Sequence, residues 1–269
     1  MAAGRIYVGV GGWSFAPWRG LFYPKDLPHA HELEFASRRL TSIEINATFY
    51  RTQTRETFLK WRDATPEGFV FSVKAPRYAV TRRSAPEARE SILRFFDSGV
   101  TALGQKLGPI LWQFPQSRKF DPQFFEGFLA ALPQQWEGAA LRHALEVRND
   151  SFKTTEFVAL ARAHRAAVVI AGDSDFPLIP DLTASFVYAR IMGAQATRRM
   201  GYDAAGLDLW ASRALTWAAG GSPDDLPRLA ANSPRRAARD VFLYVIRGAK
   251  ARNPAAAMAL IGRLQEAQA

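Results

Sequence analysis

A chain of 269 residues without a single cysteine excludes disulfide frameworks, thiolate nucleophiles and cysteine-built zinc or iron–sulfur centres. Hydrophobic residues make up 48% and charged residues 22%, ordinary for a globular chain, and no apolar run is long enough to span a bilayer. The net charge of +10 favours anionic partners: phosphates, carboxylates or nucleic acid.

Residues 1–5 lack the basic start and apolar core of a secretion signal, so the expected compartment is the cytosol and no membrane partner is expected. The basic residues are scattered, with short clusters at Arg82-Arg83 and at Arg235-Arg236 with Arg239. Clusters this short read as solvated helix ends rather than a nucleic-acid footprint.

Residues 6–10 read as a short buried strand. The loop after it, Gly12-Trp13-Ser14-Phe15-Ala16-Pro17-Trp18, is rich in glycine and aromatics. Glycine lets a backbone come close to a ligand, and Trp13, immediately after the strand, is a candidate stacking surface. Trp18 reads better as a packed plug. The glycines do not match G-x-G-x-x-G and no phosphate loop with Lys-Ser/Thr is present, which disfavours nucleotide binding through those motifs.

Helical spacing follows over residues 31–40. Ser42-Ile43-Glu44-Ile45-Asn46 then alternates, so Glu44 and Asn46 share one face and the isoleucines the other. Residues 48–50, which include Tyr50, read as loop, and 54–63 as helix. Phe69-Val70-Phe71-Ser72-Val73-Lys74 alternates again, with Ser72 and Lys74 together. A helix is expected over 88–103, a strand carrying Gln113 over 110–115 and a helix over 124–132.

Leu145-Glu146-Val147-Arg148-Asn149 sends its apolar residues one way and a carboxylate and guanidinium the other. A structural salt bridge is the competing reading for this stretch alone. A helix over 155–164 precedes a buried strand over 167–171 that runs into Gly172-Asp173-Ser174-Asp175. Residues 185–190 place Tyr188 and Arg190 on one face. Helix over 207–219, strand over 241–246 with Arg247 at its end, and helix over 255–267 complete the chain.

About eight strands alternating with helices in about 250 residues predict a closed (β/α)8 barrel. The expected irregularities lie between strands six and eight: too short a gap for a helix after the sixth, and a long loop over 222–236 before the last. No linker is evident, so one domain over 1–269 is expected. An open doubly wound sheet is the fallback.

In such barrels chemistry sits at the C-terminal ends of the strands. Glu44, Asn46, Lys74, Gln113, Glu146, Arg148, Asp173, Tyr188, Arg190 and Arg247 all fall at predicted strand ends, where a merely packed barrel would carry Val, Ile or Leu. Burying so many charges is costly unless they are paired or wet, and a water-filled pocket is the expectation. His29, His31, His143 and His164 fall elsewhere, so no histidine metal site and no cofactor are expected. Mg²⁺ or Mn²⁺ between Glu44, Glu146 and Asp173 is the alternative, in competition with the nearby cations.

Taken in order, Gly12-Trp13, Phe22-Tyr23-Pro24, Glu44-Ile45-Asn46-Ala47-Thr48-Phe49-Tyr50, residues 69–74, Leu107-Gly108-Pro109, Gln113-Phe114-Pro115, Glu146-Val147-Arg148 and Tyr188-Ala189-Arg190 resemble the DUF72 (YecE-like) family. The resemblance implies a TIM barrel and supplies no reaction. It marks Trp13, Glu44, Asn46, Tyr50, Lys74, Gln113, Glu146, Arg148, Tyr188 and Arg190. Two departures stand out: Met192-Gly193 replaces the family's His-Gly, and Ile246-Arg247-Gly248 replaces its Phe-x-Asn. Both are expected at the mouth, where they would change the ligand or the activity.

The expected function is a metal-independent hydrolase, lyase or isomerase acting on a phosphorylated or sugar-like anion. Glu146 is the expected acid/base with Glu44 as its partner, in a pair that also suits glycoside chemistry. Asp173 and Lys74 join the catalytic set. Arg148, Arg190 and Lys74 would hold the anion, with Trp13, Asn46, Tyr50, Gln113, Tyr188 and Arg247 as further substrate contacts. Two alternatives remain at this stage. One is a nucleic-acid protein of the endonuclease IV type, by analogy of fold alone. The other is a non-catalytic module that binds a small metabolite.

Overall fold

The computed structural model describes residues 3–231 and 237–267, so the Arg235-Arg236 cluster and the end of the 222–236 loop lie outside the described residues. Eight strands form the barrel: β1 (Ile6–Gly11), β2 (Ser42–Ile45), β3 (Val70–Lys74), β4 (Leu107–Gln113), β5 (His143–Glu146), β6 in two pieces (Ala167–Val168 and Ile170–Gly172), β7 (Phe186–Ile191) and β8 (Asp240–Val245). Every pairing in the barrel is parallel, and β1 lies between β2 and β8. The first piece of β6 pairs with β5 and the second with β7. Between them, Val169 N–H donates to the Leu145 carbonyl at 2.9 Å, so the ladder runs through the break. The fold is a TIM barrel, as alternation and resemblance both implied.

Nine α-helices are seen among the described residues: α1 (Glu32–Ser37), α2 (Ala47–Tyr50), α3 (Arg55–Asp63), α4 (Arg77–Val80), α5 (Ala85–Asp97), α6 (Pro122–Ala130), α7 (Thr155–Ala163), α8 (Ala204–Ala218) and α9 (Asn253–Glu266). Residues 48–50, expected as loop, form most of α2. Several helices begin before their apolar stripe does, because the start is set by a cap. Ser84 accepts from the Glu87 amide ahead of α5, Asp121 from Gln123 and Phe124 ahead of α6, and Asp203 from Gly206 ahead of α8. At its other end α5 stops at Asp97 rather than 103, where Gly99 turns into the left-handed region at φ 89°. No helix separates β6 from β7, as the short gap predicted. Among the described residues no helix is long and apolar enough to cross a membrane.

Strand alternation divides the core in two. Outward residues such as Val10, Ile45, Val73, Trp112, Leu145 and Val245 pack under the helices, and each fully buried side chain is worth about 1.5–3 kcal/mol. Inward residues fill the barrel in layers. Tyr7, Phe186 and Phe242 form an apolar floor, with Tyr7 and Phe242 stacked at 4.9 Å. Above it comes a hydroxyl layer, in which Ser42 meets Tyr244 and Ser72 meets Tyr188, each at 2.7 Å. Charged groups lie above that, toward the C-terminal ends. β1 contributes Gly9 to this interior, where a Cβ would come within 1.9 Å of the Ser42 carbonyl oxygen.

Candidate functional site

At the C-terminal rim the inward side chains of β2, β5 and β7 meet. Arg190 of β7 donates through Nε to Glu44 Oε2 at 3.0 Å and through Nη2 to Glu44 Oε1 at 3.1 Å. Its Nη1 bonds Glu146 Oε2. Glu146 also accepts from Gln113 Nε2 at 2.9 Å and from Arg148 Nε at 2.7 Å. Tyr188 O–H donates to Glu44 Oε2 at 2.7 Å, tying the ion cluster to the hydroxyl layer beneath. Glu44 and Glu146 are both 0% exposed.

The wet pocket expected around these groups is therefore not where they lie. They neutralise one another in the dry interior, and a cavity of about 630 Å³ opens beside them, lined by Gln116, Asp173, Phe176, Met192 and Arg247 among others. Phe176 joins the two regions. The Arg148 guanidinium lies 4.3 Å from its ring centroid and that of Arg247 5.3 Å, within cation–π range.

Lys74 stands apart. It is 7% exposed, with Nζ 3.8 Å from the centroid of the Phe49 ring. Among the described residues no hydrogen bond or ion pair holds that nitrogen. Burial, reinforced by the Arg190 charge and opposed by Glu44 and Glu146, brings its pKa down to about 8. Glu146 moves the other way for its kind. Burial works to raise its pKa, but the Arg190 and Arg148 guanidiniums outweigh this and hold it at about 2. Tyr188 is pushed well above the usual phenol value, by burial first and the Glu44 charge second.

These placements revise several sequence expectations. Glu146, proposed as acid/base, is too acidic to hold a proton near neutrality and out of reach of a ligand, and its partner Glu44 is equally buried. Arg190 directs Nε, Nη1 and Nη2 and Tyr188 its hydroxyl to those carboxylates, and both side chains are buried. Trp13 turns away from the cluster: its ring packs edge-on against Trp61 at 5.2 Å and tilts on Phe71 at 6.4 Å, both in the outer core. Tyr50 is 81% exposed, and among the described residues its ring meets only that of Phe49, at 5.2 Å. Asn46 donates to the Glu44 carbonyl at 3.3 Å, next to Gly11, whose missing Cβ would sit 2.8 Å from Asn46 Nδ2.

Asp173 does line the cavity, in a left-handed conformation at φ 53°, which costs a non-glycine residue about 1–3 kcal/mol. Trp210 Nε1 holds its Oδ2 at 2.8 Å. Among the described residues no three His, Asp or Glu side chains gather as a metal-ligand set, and Arg190 stands between Glu44 and Glu146. Phe49, Phe176 and Gln116 were not singled out from the sequence, because neither a loop nor a four-residue helix carries a period from which a facing direction can be read.

The comparisons with known proteins agree with this architecture. The sequence matches the family described as "Protein of unknown function DUF72" over residues 7–269. It is 27% identical over 142 residues to the UPF0759 protein YecE of Escherichia coli (strain K12), an alignment covering 51% of this chain and 48% of that protein. The chain spans about half the length of the curated relatives it matches. A crystal structure of a DUF72 family protein from Thermotoga maritima MSB8 superposes with a TM-score of 0.71 at 21% identity, over 98% of this chain and 99% of the other. A fusion protein of a xylose isomerase-like TIM barrel and 4-hydroxyphenylpyruvate dioxygenase shares the fold at a TM-score of 0.50 and 13% identity, over 95% of this chain and 41% of that one.

Proposed function

The chain belongs to the DUF72 family, and from that premise we propose a metal-independent enzyme, a hydrolase, lyase or isomerase, acting on a phosphorylated or sugar-like anion at the mouth of the barrel. The observation that carries this reading is the isolation of Lys74. It is a nearly buried amine with a pKa of about 8 beside carboxylates that are already fully engaged. A lysine whose pKa lies this near neutrality can take up and return a proton during turnover.

Charge balance at the rim supports an anionic substrate. Within the ion cluster Glu44 and Glu146 supply two negative charges against three positive ones from Arg190, Arg148 and Lys74. The cavity beside it adds Arg247 together with Asp173 and Asp175. The cation excess is therefore local to the cluster, and Arg148 with Arg247 across Phe176 offers an anion a seat there. In this reading Glu44, Glu146, Gln113 and Tyr188 hold the cations in place, and Lys74 does the proton transfer.

The test is to incubate the protein with a panel of sugar phosphates and sugar acids in the presence of EDTA and to follow loss of each compound by mass spectrometry. Turnover by the native protein that disappears in Lys74→Met supports the reading. Turnover that survives that substitution, or that EDTA abolishes, contradicts it.

A further inference from the structure

Resting on that reading, we propose that Lys74 is a covalent nucleophile whose Nζ condenses with the carbonyl carbon of an anionic aldehyde or ketone. The argument starts from what surrounds the amine. Glu44 Oε1 accepts from Arg190, and Glu44 Oε2 from Arg190 and Tyr188. Glu146 Oε1 accepts from Arg148, and Glu146 Oε2 from Gln113 and Arg190. Both neighbouring carboxylates are thus supplied with donors, from other strands and, for Glu146, also from Arg148 just past its own strand. The amine is left over an aromatic face instead of an oxygen. Turning toward a carbonyl takes Nζ off the Phe49 ring but breaks no hydrogen bond or ion pair among the described residues.

The backbone that carries the residue is firmly held. Thr48 Oγ1 donates to the Lys74 carbonyl at 2.6 Å, and the Ala75 amide donates to Leu111 at 2.9 Å, which fixes the end of β3. Chemistry at this rim also has few other agents. Glu44 and Glu146 are sealed beneath the surface, and the Asp173 carboxylate is bound by Trp210. A mechanism built on two titrating carboxylates is not served here. An amine that bonds to its substrate supplies its own electron sink, and so needs fewer partners. Desolvation keeps a usable fraction of the amine neutral near pH 7.

The step balances without an outside oxidant or reductant. The Nζ lone pair forms the C–N bond while the carbonyl π pair moves to oxygen, which takes up a proton. The hydroxyl of the resulting carbinolamine takes its second proton from nitrogen and leaves as water, which gives a protonated imine. Hydrolysis of the imine after reaction returns the free lysine. The charge that Arg148 and Arg247 would hold belongs to the same substrate, so an α-keto acid or a keto-sugar phosphate fits the class.

The test uses the full-length native protein at pH 7.5 with pyruvate or dihydroxyacetone phosphate as probe, cyanoborohydride as trap and peptide mass mapping as readout. Reduction delivers hydride to the imine carbon and leaves a stable secondary amine. The expected result is an adduct at Lys74 that forms about tenfold or more ahead of those on exposed lysines such as Lys119 and Lys153. Lactate, which lacks the carbonyl, gives none. Adducts confined to exposed lysines, or none with either probe, overturn the proposal. If Lys74 stays unlabelled while Lys74→Met abolishes turnover in the substrate panel, Lys74 moves protons only, and the covalent role falls while the enzyme reading stands.

Discussion

Glu44 and Arg190 meet across 146 positions of sequence, both Glu44 oxygens accepting guanidinium N–H groups at 3.0 and 3.1 Å. Because Arg190 also grips Glu146, one cation from β7 joins β2 to β5 across the barrel's interior. Everything reachable at the rim depends on this join, since it consumes the carboxylates that would otherwise bind Lys74.

Breaking the join is predicted to be expensive. Arg190→Met leaves two buried carboxylates short of their main partner, and removing one member of a buried pair costs about 3–5 kcal/mol. Urea unfolding of the variant checks this. A midpoint within error of the native protein would mean that Glu44 and Glu146 are hydrated, contrary to their burial.

Lys74 is predicted to lower stability in its native form. The folded pKa of about 8 lies below the ordinary 10.5, so below pH 8 the fold carries an ammonium that it solvates poorly. The unfolded chain binds the extra proton between those values, and stability therefore rises from about pH 8 to 10.5. Lys74→Met is expected to be more stable than the native protein at pH 7, by about 1–3 kcal/mol, and to lack that rise. Thermal melts of both proteins across the range measure it.

His143 gives a second pH window, with an acid-side sign. Its Nδ1 accepts from Trp112 Nε1 at 3.1 Å, so the proton is on Nε2, which lies 2.8 Å from the Pro133 carbonyl. Burial, opposed by that carbonyl, lowers its pKa from 6.5 to about 4. Below pH 6.5 the unfolded state is protonated and the fold is not, so stability falls between pH 6.5 and 4, by at most about 3 kcal/mol. His143→Gln should flatten that slope. Loss attributable to Glu146 comes lower, as pH drops from its ordinary 4.5 toward about 2.

At the cavity, Phe176→Ala and Arg247→Ala are expected to raise KM for an anionic substrate with little change in kcat. Both groups would contact the bound anion and neither the reacting bond. A fall in kcat with KM unchanged would place Phe176 nearer the chemistry than the cavity geometry does.

Much of this rim was legible from period-two alternation, because a strand facing a barrel interior sends every second residue inward. Glu44, Lys74, Gln113, Glu146 and Arg190 were found that way. Who pairs with whom was not legible. That depends on how eight strands are staggered, and only the stagger brings Arg190 level with both carboxylates. The burial of Glu44 and Glu146 beneath their partners was not legible for the same reason. Trp13 was misjudged because alternation ends with the strand, and the chain then turns its indole toward Trp61 on α3. Phe176 sits in a loop with no period at all, and Phe49 in a four-residue helix too short to show one.

The most direct measurement is the titration of the Lys74 side chain itself, followed by NMR of lysine labelled at Cε and assigned by the signal missing from Lys74→Met. An inflection near pH 8 is predicted, well below the ordinary lysine value of 10.5. A Lys74 signal that titrates near 10.5 would mean the ammonium is hydrated or ion-paired, and no reactive amine would stand at this rim.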